Sequence, residues 1–216
     1  MQKPIYLVIT ELFPTSDSFR GPYVYDQVRA IEKDGRYKVV VLRPTSWLHK
    51  EKNYEYNGVK VYRFTHYDLP SDMWPGSNTW LSLRAMDKCL KYLGIAYNDI
   101  AVVHAHVSNN ARFANHVKCQ NAECLTVLQH HGYDVLGLSL GRFSTKEWHR
   151  KRALRYGVRE CNKIDLHVGV SKEILRYLEN NEGIKLNGKY VLYNGVDTDK
   201  FFKKSSRLSS KNKTFT

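Results

Sequence analysis

The chain has 216 residues, of which 42% are hydrophobic and 25% charged, with a formal net charge of +13. This size buries one good core or two small ones, and the composition is that of a globular chain rather than a disordered or fibrous one. The basic surplus implies an anionic partner (nucleic acid, a phosphorylated substrate or anionic lipid) unless it is only a basic surface, and no apolar run is long enough to span a bilayer.

Residues Pro4 to Thr10 form an apolar stretch suited to a strand buried on both faces of a parallel sheet, and no small-residue cleavage site makes them a signal peptide. A loop from Glu11 to Gly21 leads into a helix that carries Tyr23, Val24, Val28 and Ile31 near helical spacing, with Pro22 in its first turn and Gly35 at its end. Tyr37 to Leu42 is a second strand. The β-α-β unit so formed opens a doubly wound, mostly parallel sheet of about seven strands. In such folds the turn after the first strand binds phosphates at the helix N-terminus. Here that turn holds a single glycine, Gly21, which serves equally as a plain helix entry.

Tyr54 to Phe64 reads as strand material around a turn at Asn57-Gly58. Thr65 to Asn78 is a long irregular loop containing Pro70, Trp74, Pro75 and Gly76, of the kind more often functional than connecting. Trp80, Leu83, Leu90 and Leu93 approach a helical stripe and are assigned to the core. Ile100 to His106 is an apolar strand ending in two histidines, His104 and His106. A helix is expected over Asn109 to Asn121. Leu125 to His131 is another apolar strand, followed by Gly132 and Asp134. Four histidines thus stand at the ends of two adjacent strands, on the side where open α/β sheets hold ligands. Imidazole there can donate to a hydroxyl or take up a proton near neutral pH, and Gly132 leaves room beside the backbone.

Val135 to Phe143 holds Gly137 and Gly141 and suits a mobile loop. The helix from Lys146 to Asn162 carries Arg152, Arg155 and Arg159 on one face, with Trp148 a turn earlier and Leu154, Val158 and Cys161 on the neighbouring stripe. This face is either simply solvated or a docking surface for an anionic acceptor or a lipid headgroup layer, where each basic residue adds about 1 kcal/mol. Asp165 to Val170 is a strand, and Ser171 is placed to cap the next helix. Tyr190 to Tyr193 is the last strand, turning at Asn194-Gly195, with Asp197 able to hold the turn. The cysteines Cys89, Cys119, Cys124 and Cys161 lack C-x-x-C spacing, which favours reduced thiols in the cytoplasm over a zinc site.

Three stretches carry a resemblance: V-H-A-H at Val103 to His106, the strand T-V followed by H-G-x-D at His131 to Asp134, and N-G-V-D at Asn194 to Asp197 with Phe201 beyond. Together with Val168-Gly-Val-Ser171 and its helix they resemble the N-terminal, acceptor-side domain of family 4 glycosyltransferases, which have the GT-B fold. Gly21-Pro22 departs from the family's usual Gly-Gly pair, and proline has no N–H to give a phosphate.

The resemblance implies a Rossmann-like domain over residues 1–202, with 203–216 as linker and start of a second, donor-binding domain. It implies a retaining transfer of a sugar from a nucleotide-sugar to a glycan or lipid-linked acceptor, without a metal or other cofactor, by a protein in which this half alone is inactive. His131 matches the family histidine that lines the reacting centre. Gly21 takes the place of the donor-phosphate turn, and Gly132, Asp134, His106, Ser171 and Asn194 are candidate substrate contacts. Trp148, Arg152, Arg155 and Arg159 are candidates for docking on a membrane surface or anionic acceptor. Two other readings remain open. One is another GT-B enzyme, such as a nucleotide-sugar epimerase, for which no convincing pair of acid/base carboxylates stands out. The other is a non-catalytic basic binding module, for which no nucleic-acid motif is present.

Overall fold

The structure, a computed structural model, describes residues 3–49, 51–67, 78–132, 147–181 and 183–195. The strands are β1 (Ile5–Ile9), β2 (Lys38–Ser46), β3 (Tyr54–Tyr56), β4 (Val59–His66), β5 (Ile100–His106), β6 (Leu125–His130), β7 (Leu166–Gly169) and β8 (Lys189–Val191). The helices are α1 (Pro22–Asp34), α2 (Thr79–Tyr92), α3 (Ala111–Gln120), α4 (Glu147–Cys161) and α5 (Lys172–Asn181). The strands form one sheet in the order β3-β4-β2-β1-β5-β6-β7-β8. Every neighbouring pair is parallel except β3 with β4.

Among the described residues the sheet has eight strands, in keeping with the expected mostly parallel sheet of about seven. The strand material expected around Asn57-Gly58 forms β3 and β4, a hairpin whose two turn residues, Asn57 (φ 45°) and Gly58 (φ 85°), both take the positive φ that a tight two-residue hairpin requires. β2 also runs four residues past Leu42, through Pro44. The Leu42 carbonyl accepts from the Thr10 N–H, so Pro44, of the same parity, turns its nitrogen toward the side where β1 has already ended. The missing N–H costs no ladder bond there.

Apolar side chains alternate between two faces. One face, with Leu7, Leu42, Val103, Ala105 and Leu128, packs under α2 to α5 through Met86, Phe113, Val117, Cys161 and Leu178. The other, with Val8, Val41 and Val61, packs under α1 through Val24 and Val28. On α2 the buried positions are Ser82, Met86 and Leu90. Of the stripe assigned to the core from sequence, Leu90 is buried and Leu83 and Leu93 pack partly buried against the core, but Trp80 is corrected: it is half exposed. Large aromatics fit both patterns, and the i, i+4 series of smaller residues took the contact with β4. The four cysteines are free thiols.

The order of the strands carries the functional consequence. The chain lays β2 and β4 on one side of β1, then returns to place β5 to β8 on the other. The winding reverses between β1 and β5, and the crevice beyond the carboxyl ends of those two strands is where open α/β sheets bind ligands.

Candidate functional site

Three aromatic side chains meet at that reversal. His106 ends β5, and its Nδ1 lies 2.8 Å from Nε2 of His131, the first residue after β6. Their rings are nearly coplanar in orientation, with centroids 5.1 Å apart. Tyr23, in the first turn of α1, packs on His131 from the other side at 4.5 Å. One proton shared between the two facing nitrogens fixes the plane of His131, and Tyr23 limits its tilt. His104, two residues earlier on the same face of β5, stacks on His106 at 4.4 Å, and its Nδ1 lies 2.9 Å from the Tyr6 hydroxyl.

Electrostatics separates these histidines. His106 is almost fully buried, and burial, then the neighbouring His104 and His131, hold it well below the ordinary imidazole range. His104 is pushed down to about 3, again by burial first. Both stay neutral at physiological pH. Tyr6 is pushed up by burial and then by Tyr37, so its hydroxyl keeps its proton. His131 is only partly covered and stands at the rim. The arrangement is one accessible imidazole held in place by a buried, neutral, aromatic support.

The backbone at this rim is strained. Val107 follows His106 with φ 63° and ψ 148°, a region that a β-branched residue rarely enters. It is held there by its N–H to the Gln129 carbonyl at 3.0 Å and by Asn110, whose side-chain amide donates to the His106 carbonyl at 2.8 Å. Such strain persists only where the surroundings over-determine it, and it is typical of ligand sites. Nothing in the sequence marks Val107. Tyr23 is visible as part of Gly21-Pro-Tyr-Val, but the support it gives His131 depends on tertiary placement.

The remaining residues expected at the site fall into four groups. Gly21 does lie at the entry of α1, in left-handed conformation (φ 74°), and a Cβ there would come within 2.3 Å of the Leu12 carbonyl oxygen. Its own fold requires glycine at this point, whatever ligand the turn meets. Beside Gly132, no atom of the described residues lies within 4 Å of where a Cβ would be. Ser171 accepts from the Ile174 N–H at 3.3 Å, the expected helix cap, and Asn194 is exposed. Asp134, Asp197 and the glycine-containing loop of 135–143 lie outside the described residues, as does the boundary expected at residue 202.

Only three of the four histidines gather. His130 points to the opposite face of β6, where its Nε2 lies 3.1 Å from Nδ1 of His167 on β7, with the rings stacked at 5.4 Å. This pair sits in the core under α4 and α5, away from the crevice. Burial, then His130, pushes His167 down to about 3.

On α4, Leu154 and Val158 pack against the core and Cys161 is buried, as their spacing predicts. Trp148 is half exposed, and Arg152, Arg155 and Arg159 are exposed along the outer face. Arg159 lies over the Tyr156 ring at 5.2 Å and pairs at 3.3 Å with the buried Glu160, which Lys163 also contacts. Among the described residues no helix is long and apolar enough to cross a membrane, and no group of three or more His, Cys, Asp or Glu is placed to hold a metal ion.

The family model described as Glycosyltransferase Family 4 matches residues 21–200. No curated protein matches the sequence. Among solved structures, sucrose-phosphate synthase from Thermosynechococcus elongatus superposes with a TM-score of 0.65 at 14% identity, over 93% of this chain and 50% of that one. A shorter chain of the same synthase is covered over 90% of its length, with 89% of this chain, a TM-score of 0.57 and 11% identity. The catalytic domain of starch synthase IV from Arabidopsis thaliana, bound to ADP and acarbose, gives 0.53 at 14% identity, over 92% of this chain and 53% of that one. The present chain spans about half the length of the longer synthase and of the starch synthase domain. At these identities the likeness shows the fold, a Rossmann-like half of a GT-B architecture.

Proposed function

The chain belongs to glycosyltransferase family 4, and from that premise we propose that it forms the acceptor-side half of a retaining glycosyltransferase. In this reading a second, donor-binding domain supplies the nucleotide-sugar, and the crevice beyond β1 and β5 receives a glycan or lipid-linked acceptor. The observation that carries the reading is the His106–His131–Tyr23 arrangement at the reversal of the sheet, in a chain whose family transfers sugars. His131 is the reacting-centre residue, positioned to hydrogen-bond the transferred sugar or to exchange a proton with a hydroxyl. His106 keeps its ring in plane. Gly132 gives the substrate room, Ser171, Asn194 and the Gly21 turn complete the rim, and Asp134 is a further candidate contact by its match to the family motif. Departure of the nucleoside diphosphate builds negative charge, which basic side chains and backbone dipoles offset. Domain closure excludes water and favours transfer over hydrolysis. No metal ion is required in this scheme.

The outer face of α4, with Trp148 and the three arginines, is the docking surface for an anionic acceptor layer at the inner face of a membrane. The test is transfer by the intact native protein from a nucleotide-sugar, with the anomeric configuration of the product read by NMR. A product with the donor's configuration supports the proposal. An inverted product overturns the retaining mechanism, and transfer at ordinary enzymatic rates by the 216-residue chain alone overturns the division of labour.

A further inference from the structure

A second cavity opens on the same face of the sheet, at the carboxyl ends of β2 and β4. It has a volume of about 480 Å³ and is bordered by Arg20, Arg43, Lys52 and Arg63 together with Tyr54 and the 13–18 loop. Arg43 and Arg63 stand directly opposite each other in the β2–β4 register. Alternation from Val41 and Val61 places both on the α1 face, the face that carries His104 and His106. Like charges directly opposite in a sheet destabilise it.

The cavity also contains Asp17, Glu51 and Glu55, so its charge has to be followed residue by residue. Glu51 pairs with Arg63. Arg43 donates instead to the Tyr54 hydroxyl at 3.3 Å. Among the described residues Arg20, Arg43 and Lys52 form no ion pair, and Nε of Arg63 is buried without a hydrogen-bond partner. The Tyr54 ring holds both guanidinium groups in place, with Arg63 at 4.8 Å and Arg43 at 6.0 Å from its centroid. Burial, then the charge of Arg43, draws Arg63 below the ordinary guanidinium range. Two arginines fixed by one aromatic ring, with N–H groups left to give and two further cations at the mouth, match the fork geometry of a phosphate oxyanion.

We propose that this cavity binds a phosphate ester carried by the acceptor, with Arg43 and Arg63 gripping the oxygens and Arg20 and Lys52 closing over them. The proposal rests on reading this half as the acceptor side, and it makes that acceptor a phosphorylated molecule. β2 is separated from β5 by β1 alone, which puts Arg43 about 10 Å from His106 across the sheet. One acceptor molecule can therefore reach both.

The test uses the intact protein and its Arg43→Gln and Lys52→Gln variants, with Lys91→Gln, at an exposed position of α2, as control. Binding of glycerol phosphate is followed by calorimetry, and binding to phosphatidylcholine vesicles with and without phosphatidic acid by sedimentation. The expected result is at least about 10-fold weaker binding of the phosphate-bearing probe in both pocket variants, equivalent to the loss of one charged contact. The control variant keeps its affinity for the soluble probe. Loss in the soluble arm identifies a soluble phosphorylated acceptor, and loss confined to the vesicle arm a lipid-borne one. Unchanged affinity in both arms, with both variants melting at the parent temperature, overturns the proposal. His131→Ala separates the two readings: it should lower transfer by roughly 10²- to 10⁴-fold and leave glycerol phosphate binding intact. Failure of the phosphate site leaves the transferase reading standing, because transfer to an unphosphorylated acceptor would persist.

Discussion

His130 and His131 are neighbours in sequence and opposites in structure. His131 stands partly exposed at the crevice, braced by His106 and Tyr23, while His130 is buried against His167 on the other side of the sheet. Both groups contain stacked imidazoles within hydrogen-bond distance, and both include a histidine that burial pushes down to about 3. Burial, pairing and a depressed pKa are therefore common to the two. What separates them is position at the reversal of the winding, access to solvent and the strained backbone at Val107. A histidine cluster becomes a candidate site through its place in the topology, and the same chemistry one residue away is core.

The comparison can be broken most directly by substitution. His131→Ala in the intact enzyme should lower turnover by roughly 10²- to 10⁴-fold, the usual worth of a positioned acid or base, with a melting temperature close to the parent's. Steady-state kinetics and calorimetry read the two effects; a loss of fold with turnover retained per folded molecule would move His131 into the structural class. His130→Ala should do the reverse. It empties a packed position and strips His167 of its partner, costing about 3 kcal/mol in denaturant unfolding, with kcat of the folded fraction within a few-fold of the parent.

Acid should treat the two groups alike, which sharpens the claim that titration does not distinguish them. His104 and His167 have folded values near 3, below the 6.5 of an unfolded histidine. Above pH 6.5 both states are neutral and the groups contribute nothing to the pH dependence. As the pH falls from 6.5 toward 3 the unfolded chain takes up protons that the folded chain refuses, so stability declines by up to about 1.4 kcal/mol per pH unit for each histidine. Replacing His167 by Asn should remove one proton's worth of that slope in denaturant midpoints measured across the window, and an unaltered slope would contradict its burial as a neutral group. The smallest effect is expected at Val107. Val107→Gly relieves the positive φ but adds chain entropy to the unfolded state, for a net change within about 1 kcal/mol, while turnover drops because the end of β5 loosens. Parent-like turnover would show that the strain does not serve the site.

Much of this was legible in the chain. The β-α-β opening, the hairpin at Asn57-Gly58, the paired apolar strands at Ile100 and Leu125, and the amphipathic basic helix follow from periodicity and turn residues that act locally. The family resemblance at His131-Gly132 and Asn194-Gly195 agrees with the family match. What escaped depends on parity and long-range placement. Nothing local says that His130 turns away from His131's neighbours to meet His167, 37 residues on, or that Tyr23 reaches across from α1. The exposure of Trp80 was missed for a related reason: a helical stripe fixes which residues share a face, and the partner strand decides which face is covered. Arg43 and Arg63 are 20 residues apart and face each other only through the β2–β4 register.

The glycine at position 21 has a consequence for how this protein can change. A methyl group added there would collide with the Leu12 carbonyl oxygen. In a saturation library of the turn after β1, position 21 should therefore return a single permitted letter, while Ser16 and Phe19, both exposed, accept many. Variation in ligand preference along this loop has to be found between residues 13 and 20, with the entry to α1 left untouched.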